Sequence, residues 1–261
     1  MILAASLVRS RVVAGVVALN TYPPAVPPTR KVEIRGEGGD AREWLRSWAG
    51  GVGFLPSLAS ASAGVGVLTL VPDHDGILRS MPLFSLLGNE LYPSLGLEAV
   101  RMYLGTETLA AKVTPAAQAG LLQWQGIAGI KVGDAAFLPT SADARVWLHA
   151  RPQASDRYVS AIDVLAGRVE PKRINDHIVL IGATSAGLGD IIRNPLGEAV
   201  PGLEGHLQLI EQLLTNEYML RPPWENALVN ALVLTYAIVL ALMLATMRPT
   251  WSVALLGASV V

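Results

Sequence analysis

Short apolar runs alternate with polar, glycine- or proline-containing connections over residues 1–215. Runs rich in Val, Ile and Leu and bounded by Gly, Pro, Asp or Asn are typical of strands. Such runs occupy residues 12–19, 65–71, 78–86, 121–127, 146–149 and 177–181. Apolar positions at helical spacing predict helices at 41–49, 94–103, 160–165 and 203–214. Together they predict an α/β fold in which helices flank a mixed sheet.

The predicted helix at 203–214 has the clearest amphipathic pattern. Its apolar residues recur at helical spacing and are Leu203, Leu207, Ile210, Leu213 and Leu214. The polar residues between them are predicted to face solvent and are Glu204, Gln208, Glu211 and Gln212. Pro201 and Gly202 mark the start of this helix.

A long uncharged run, ALVNALVLTYAIVLALMLATM, occupies residues 227–247. As a helix it would match the roughly 30 Å hydrocarbon core of a bilayer, so it predicts a transmembrane helix. A buried helix of a large soluble protein is the alternative. Trp224 and Trp251 flank the run, where aromatic side chains favour the membrane interface. A second apolar run at 250–261 predicts the start of another transmembrane helix, which the end of the sequence truncates.

Two prolines, Pro222 and Pro223, separate the soluble helix from the apolar run. Because proline lacks the backbone N–H that helix continuation needs, the helix at 203–214 should end before the next one begins. The predicted organisation is a domain at 1–220, a proline neck at 221–226, and transmembrane helices at 227–247 and from 250 onward.

Composition narrows the classes of function. The 261 residues carry a formal net charge of −1, so no overall basic field favours nucleic acid as a partner. The sequence contains no cysteine, which excludes disulfides, iron–sulfur clusters and thiolate zinc sites in this chain. Near the N-terminus, Arg9 and Arg11 follow the first apolar run, which is the reverse of the order in a signal peptide.

The glycine-rich stretch IVLIGATSAGLGD at 178–190 is similar to a nucleotide-binding loop. However, Gly182, Gly187 and Gly189 lack the Rossmann spacing, and no Lys follows Gly187 as a Walker-A loop requires. We interpret the stretch as a turn at the carboxyl end of a strand, closed by Asp190. Such strand ends are where α/β sheets place ligand crevices. An unidentified small ligand and a dinucleotide therefore both stay open as occupants of the Gly182–Gly189 loop.

The stretch PDHDGILRSMPL at 72–83 begins like a calcium loop. A calcium-binding EF-hand needs a Glu at position twelve, where this sequence has Phe84. The stretch instead predicts a tight Asp–Gly turn in which Arg79 pairs with Asp73 or Asp75.

His206 lies on the mostly apolar face of the predicted helix at 203–214. It is interpreted as a hydrogen-bonded packing residue, with a ligand-binding role as the alternative. The sequence has no Ser–His–Asp ordering with a nucleophile elbow and no paired-carboxylate motif. We therefore assign no catalytic residue, no cofactor and no metal site from the sequence.

The chain resembles the CHASE type 2 domain, the extracytoplasmic sensory domain of bacterial cyclases, histidine kinases and Ser/Thr kinases. The pieces that carry the resemblance, in the order of the family, are PDHDGILRSMPL, LYPSLGLEAVR, VSAIDVLAGRV, HIVLIGATSAGLGD and VPGLEGHLQLIEQLL, with the apolar runs after them. Family members begin with a membrane helix and a strand that have no counterpart here. The resemblance therefore implies a domain truncated at its N-terminus, in a chain that also ends within a membrane helix.

The resemblance implies the input module of a membrane-bound bacterial receptor. Its domain would lie in the periplasm, at the inner membrane, and would detect a small molecule or an envelope condition. Expected partners are membrane lipid and a second copy of the chain, with a cyclase, diguanylate cyclase or kinase output beyond residue 261 and no enzyme activity in this chain. The glycine loop and the Pro222-Pro223 neck are the hinge candidates. Two alternatives remain: a membrane-anchored NAD(P)-dependent enzyme and a structural membrane component.

Overall fold

A computed structural model of the chain describes residues 10–21, 32–119, 125–184, 190–219, 222 and 224–246. The chain divides into two compact units. The first consists of Met1–Ala119 and Trp124–Leu220, and the second of Gly120–Gln123 and Arg221–Val261.

Short strands make up most of the regular structure in the described part of the first unit. They are β1 (Val13–Leu19), β2 (Glu33–Glu37), β3 (Ser47–Trp48), β4 (Gly50–Val52), β5 (Gly64–Val67), β6 (Ser80–Pro82), β7 (Phe84–Leu87), β8 (Glu90–Pro93), β9 (Thr108–Thr114), β10 (Gly126–Val132), β11 (Ala136–Pro139), β12 (Arg145–Trp147), β13 (Ile191–Arg193) and β14 (Ala199–Pro201). The α-helices are α1 (Pro56–Ala61), α2 (Leu95–Tyr103), α3 (Ala161–Leu165) and α4 (Gly202–Thr215), with α5 (Glu225–Thr246) in the second unit.

The strands form several small sheets of mixed direction. One sheet has the order β4-β1-β5, in which β1 runs parallel to β5 and antiparallel to β4. A second has the order β11-β10-β9-β2, in which only β2 and β9 are a parallel pair. The others are β3-β7-β8, β12-β6 and β13-β14. The predicted α/β class with flanking helices is confirmed, although several sheets take the place of one.

The main core lies where the β9–β10 sheet and helices α2 and α4 meet. Leu97 on α2, Leu109 on β9, Ile130 on β10 and Leu209 on α4 are all fully buried in one cluster. Each such side chain contributes roughly 1.5–3 kcal/mol by leaving water. Gly96 lets α4 approach α2 closely, because a Cβ at that position would lie 2.9 Å from a methyl group of Leu209.

Most of the predicted helices are present. The helices predicted at 94–103, 160–165 and 203–214 are confirmed as α2, α3 and α4. Ser94 begins α2 in the usual way, because its side chain accepts a hydrogen bond from the backbone N–H of Leu97 at 3.2 Å. The helix predicted at 41–49 is wrong: a 3₁₀ turn ends at Trp44, and β3 follows in parallel pairing with β7.

The predicted strands are confirmed in part. Residues 12–19 and 146–149 correspond to β1 and β12, and the strand predicted at 65–71 ends at Val67. The strand predicted at 78–86 is divided into β6 and β7, because the chain changes partners at Leu83. There the Leu83 N–H donates to the carbonyl of Ala144, and its own carbonyl accepts from the N–H of Ser94, both at 2.8 Å. Of 121–127, residues up to 124 lie outside the described part, and β10 begins at Gly126.

The strand predicted at 177–181 is wrong, although the segment keeps the alternation that suggested it. Ile178 and Leu180 pack against the main core, while Val179 and Ile181 are 52% and 92% exposed. No described strand pairs with the segment. The alternation of packed and exposed residues therefore reflects an extended segment that packs one side against the core but does not pair with a described strand.

The second unit contains a helix where an apolar helix is predicted. α5 covers nearly all of residues 227–247, carries no charge after Glu225, and has apolar residues on all sides. Among the described residues, no helix is both long enough and apolar enough to cross a membrane. The transmembrane prediction for 227–247 therefore has no support here, and the second predicted span at 250–261 lies outside the described residues.

Candidate functional site

Helix α4 begins at a close contact with Asp190. The backbone N–H of Gly202 donates to the Asp190 carbonyl at 2.8 Å, and a Cβ at Gly202 would collide with the Asp190 carboxylate. A carboxylate beside the first turn of a helix interacts favourably with the helix dipole. Gly182 is also near the start of α4, since a Cβ at Gly182 would lie 3.3 Å from the side chain of Leu203.

His206, one turn further along α4, is a buried residue. Its side chain is 4% exposed, and its Nε2 is 3.0 Å from the carbonyl of Leu68. Burial lowers the pKa of His206, so the imidazole is neutral, with Nε2–H donating to that carbonyl. Nδ1 is buried and has no hydrogen-bond partner among the described residues. His206 thus fixes the first turns of α4 to the segment after β5.

A row of buried polar side chains runs along α4 at every fourth residue. Glu204, Gln208 and Gln212 are only 2–4% exposed, so the sequence-based prediction that they face solvent is wrong. Gln212 accepts from the backbone N–H of His149 at 2.9 Å and donates to the carbonyl of Trp147 at 2.8 Å. These three side chains, here called the polar ladder, lie under residues 147–158, here called the strap.

The other two side chains of the ladder complete the contact with the strap. Gln208 donates to the carbonyl of Arg151 at 3.1 Å and to the carboxylate of Glu204 at 3.3 Å. The hydroxyl of Tyr158 donates to the other Glu204 oxygen at 2.7 Å. Burial and this hydrogen bond raise the pKa of Tyr158 to about 12, so the phenol stays a donor at all physiological pH values.

Ion pairs reinforce the same contact from the outside. Arg157 on the strap pairs with Glu211 on α4 at 2.9 Å. Arg151 pairs with Glu217 at 2.6 Å, and His149 lies 3.3 Å from the same carboxylate. Partly exposed pairs such as these contribute little each, about 0–1 kcal/mol. The buried polar ladder therefore dominates the attachment of the strap to α4.

The strap leads directly into a cavity of about 500 Å³. The cavity is formed by the chain from the end of the strap through α3 to the 3₁₀ turn at Pro171–Arg173, and its lining residues are Tyr158, Val159, Ser160, Asp163, Arg168, Val169, Glu170 and Arg173. Tyr158 thus lines the cavity and also donates to Glu204 of the polar ladder. The Tyr158 hydroxyl therefore connects the cavity wall to α4.

The turn at residues 73–76 has the form that its sequence predicts. Gly76 has a left-handed φ of +79° and closes the turn, with its N–H donating to the Asp73 carbonyl at 2.9 Å. Arg79 donates to the carboxylate of Asp73 at 2.8 Å and to that of Asp75 at 2.7 and 3.0 Å. Its guanidinium holds the pKa of Asp75 down at about 2. Among the described residues, no group of three or more His, Asp or Glu is placed to hold a metal ion.

The candidate site residues named from the sequence lie in different parts of the structure. Asp190, Gly182 and His206 surround the first turns of α4. Gly187, Gly189 and Pro223 lie outside the described residues, and Pro222 belongs to the second unit. Sequence reasoning missed Tyr158, Gln208 and Gln212; the one signal available was the spacing of polar residues at every fourth position on α4.

One known protein family matches nearly the whole chain. A family model described as the CHASE2 domain matches residues 2–247. The chain belongs to the CHASE2 domain family. CHASE2 domains are extracytoplasmic sensory domains and not catalytic ones, so this CHASE2 domain has the role of a sensory input. No curated protein and no solved structure is significantly similar to the chain.

Proposed function

We propose that this CHASE2 domain is the input module of a membrane-bound receptor of the bacterial inner membrane. It detects a small molecule or envelope condition in the periplasm and relays the signal to a cytoplasmic cyclase, diguanylate cyclase or kinase. The receptor works as a homodimer, as such outputs generally do. The observation that carries the proposal is the hydrogen bond from Tyr158 in the cavity wall to Glu204 of the polar ladder on α4, the last described helix of the first unit.

The chemistry of the ladder supports coupling between the cavity and α4. Glu204 is a buried carboxylate whose partners are Tyr158 and Gln208. A buried charge that loses a hydrogen-bond donor is costly, so Tyr158 and α4 must move together or exchange partners. A ligand that fits the cavity in only one position of Tyr158 would then favour one position of α4, as population shift requires.

The membrane attachment rests on α5 and the residues around it. A helix that is apolar on all sides is normally buried, either in the core of a large protein or in a membrane. Residues 227–247 contain no charged side chain, and Trp224 precedes them.

Coupling can be tested in the full-length receptor by the substitution Gln208→Leu. This change removes the donors to Arg151 and Glu204 and should shift basal output about fivefold or more, the lower end of typical coupling energies. Gln118→Leu is the matched control, because Gln118 is exposed and lies in the short 3₁₀ turn after β9. Output equal to that of the native receptor, at equal protein level, would refute the relay through the ladder.

Topology can be tested separately with reporter fusions. A periplasmic reporter such as alkaline phosphatase should be active when fused after Leu220, and a cytoplasmic reporter should be active after Pro249. The reverse pattern would place the sensory domain inside the cell and overturn the proposed location.

A further inference from the structure

The cavity lining contains both signs of charge in a small space. Arg168 and Arg173 supply two guanidinium groups, and Asp163 and Glu170 supply two carboxylates. Only two lining residues, both valines, are apolar. A lining of this kind does not suit an apolar ligand, and its two carboxylates would repel a phosphate dianion.

The lining also contains donor groups that a ligand could use. One Nη of Arg173 donates to the backbone carbonyl of Asp156, and its other N–H groups have no hydrogen-bond partner among the described residues. The hydroxyl of Ser160 likewise has none among the described residues. A guanidinium with free donors and a hydroxyl in the same lining can both bind a carboxylate, because charge-assisted hydrogen bonds of this kind are strong and directional.

Carboxylates are available for the opposite charge. Asp163 is bound by Arg168 through Nε at 2.8 Å, yet its side chain stays 43% exposed. The side chain of Glu170 is 64% exposed and pairs with Lys172, which does not line the cavity. A ligand ammonium group can therefore reach a carboxylate oxygen without displacing a buried partner.

We infer that the cavity binds a small zwitterion of the α-amino acid class, with its carboxylate at Arg173 and Ser160 and its ammonium group at Glu170 and Asp163. The cavity of about 500 Å³ lies within the range of small-molecule sites, roughly 300–1,000 Å³. The effect of this ligand on receptor output rests on the proposed function. In that function, binding in the cavity affects α4 through the hydrogen bond from Tyr158 to Glu204.

The test is calorimetric titration of the purified full chain with the common amino acids at millimolar concentration. At least one amino acid should bind with a Kd below about 1 mM. Its decarboxylated amine and its N-acetyl derivative, which each lack one charge, should bind about tenfold more weakly or not at all. Absence of binding by every amino acid, or equal binding of the singly charged analogues, would overturn the inference.

Two substitutions locate the ligand. Arg173→Gln should weaken amino acid binding about tenfold or more, whereas Arg42→Gln, at an exposed arginine that does not line the cavity, should change it less than about twofold. Glu170→Gln should weaken amino acid binding but not the binding of the matching N-acetyl derivative, because only the amino acid carries an ammonium group. Native affinity in both Arg173→Gln and Glu170→Gln would place any bound amino acid elsewhere.

Binding and relay are measured independently in these experiments. If an amino acid binds but Gln208→Leu does not change output, the ligand class is supported and the relay through the polar ladder is wrong. If Gln208→Leu changes output but no amino acid binds, the sensory role is supported and this ligand class is wrong.

Discussion

His206 shows how one buried side chain can make the stability of the domain depend on pH. The imidazole is almost fully buried and neutral, with one hydrogen bond to the Leu68 carbonyl and with Asp190 as the nearby acidic group. Protonation would place an uncompensated charge in the main body of the domain, which is costly. In the unfolded chain the same imidazole is free to take up a proton near its ordinary pKa of about 6.5.

The free energy of unfolding should therefore fall as the pH is lowered from 7 to 5. Because the pKa of His206 is lower in the folded state, the unfolded state binds more protons in this range, and the slope approaches at most about 1.4 kcal/mol per pH unit. Urea unfolding at several pH values measures it. His206→Gln should flatten the slope, and His177→Gln, which changes an exposed histidine, should not. An unchanged slope in His206→Gln would contradict the assignment.

At the scale of elements, two close approaches determine how the helices sit on the sheets. The first is between β5 and the start of α2, where a Cβ at Gly66 would lie 2.7 Å from the Cα of Leu95 and 3.0 Å from the carbonyl oxygen of Ser94. Backbone atoms cannot move aside as a side-chain terminus can. Gly66 is therefore required by packing and not by its φ angle.

Gly66→Ala should lower the free energy of unfolding by about 2–3 kcal/mol, within the range for overpacking a core. Gly182→Ala is a matched control, because the added methyl group meets only the flexible side chain of Leu203 at 3.3 Å. It should change stability by less than about 0.5 kcal/mol. Thermal or urea unfolding compares the two, and similar values would contradict the close approach at Gly66.

The second close approach is the attachment of the strap to α4. Gln212→Leu would keep the volume of the side chain but remove its hydrogen bonds with the N–H of His149 and the carbonyl of Trp147. Each such hydrogen bond contributes about 0.5–1.5 kcal/mol, so the free energy of unfolding should fall by about 2 kcal/mol. Gln118→Leu, at an exposed position, should have little effect on the same unfolding curve.

The sequence predicts elements better than it predicts this attachment. The period of apolar residues locates α2 and α4, and residue chemistry alone predicts the Asp73–Gly76 turn, because both depend on neighbours in the chain. The polar ladder depends on backbone groups about sixty positions away, so Gln208 and Gln212 resemble ordinary solvent-facing residues until the strap is known. The strand prediction at 177–181 is wrong for the same reason. A strand needs a neighbouring strand to pair with, and the alternation of residues within the segment does not show whether one is present.

At the scale of the whole molecule, burial is very unequal along the chain. Strands β9 and β10 contribute several fully buried residues, whereas residues 151–184, all of them described, include no buried residue. Local opening of a segment costs little when few apolar contacts hold it. The cavity therefore lies in a described part of the first unit that can change conformation at low cost, as a sensory site requires.

Hydrogen exchange should reveal this inequality in the ligand-free chain. Amides of residues 151–184 should exchange by local opening, at least about a hundredfold faster than those of β9 and β10, whose exchange follows global unfolding. Limited trypsin digestion should first cut at Arg157, Arg168, Lys172 or Arg173. Equal protection of residues 151–184 and β10 would show that the segment is more stable than its packing indicates.

The spacing of the polar ladder has one more consequence. Glu204, Gln208 and Gln212 repeat at intervals of one helical turn, and each can hydrogen-bond to strap groups. If α4 slid by one turn, about 5.4 Å, Gln208 would reach the groups that Gln212 now holds, but the Glu204 carboxylate would face the Arg151 carbonyl, and both of these groups can only accept hydrogen bonds. Intermediate positions would leave buried polar groups unpaired. The polar ladder therefore fixes α4 in one register along its axis, so that α4 could move only together with the strap.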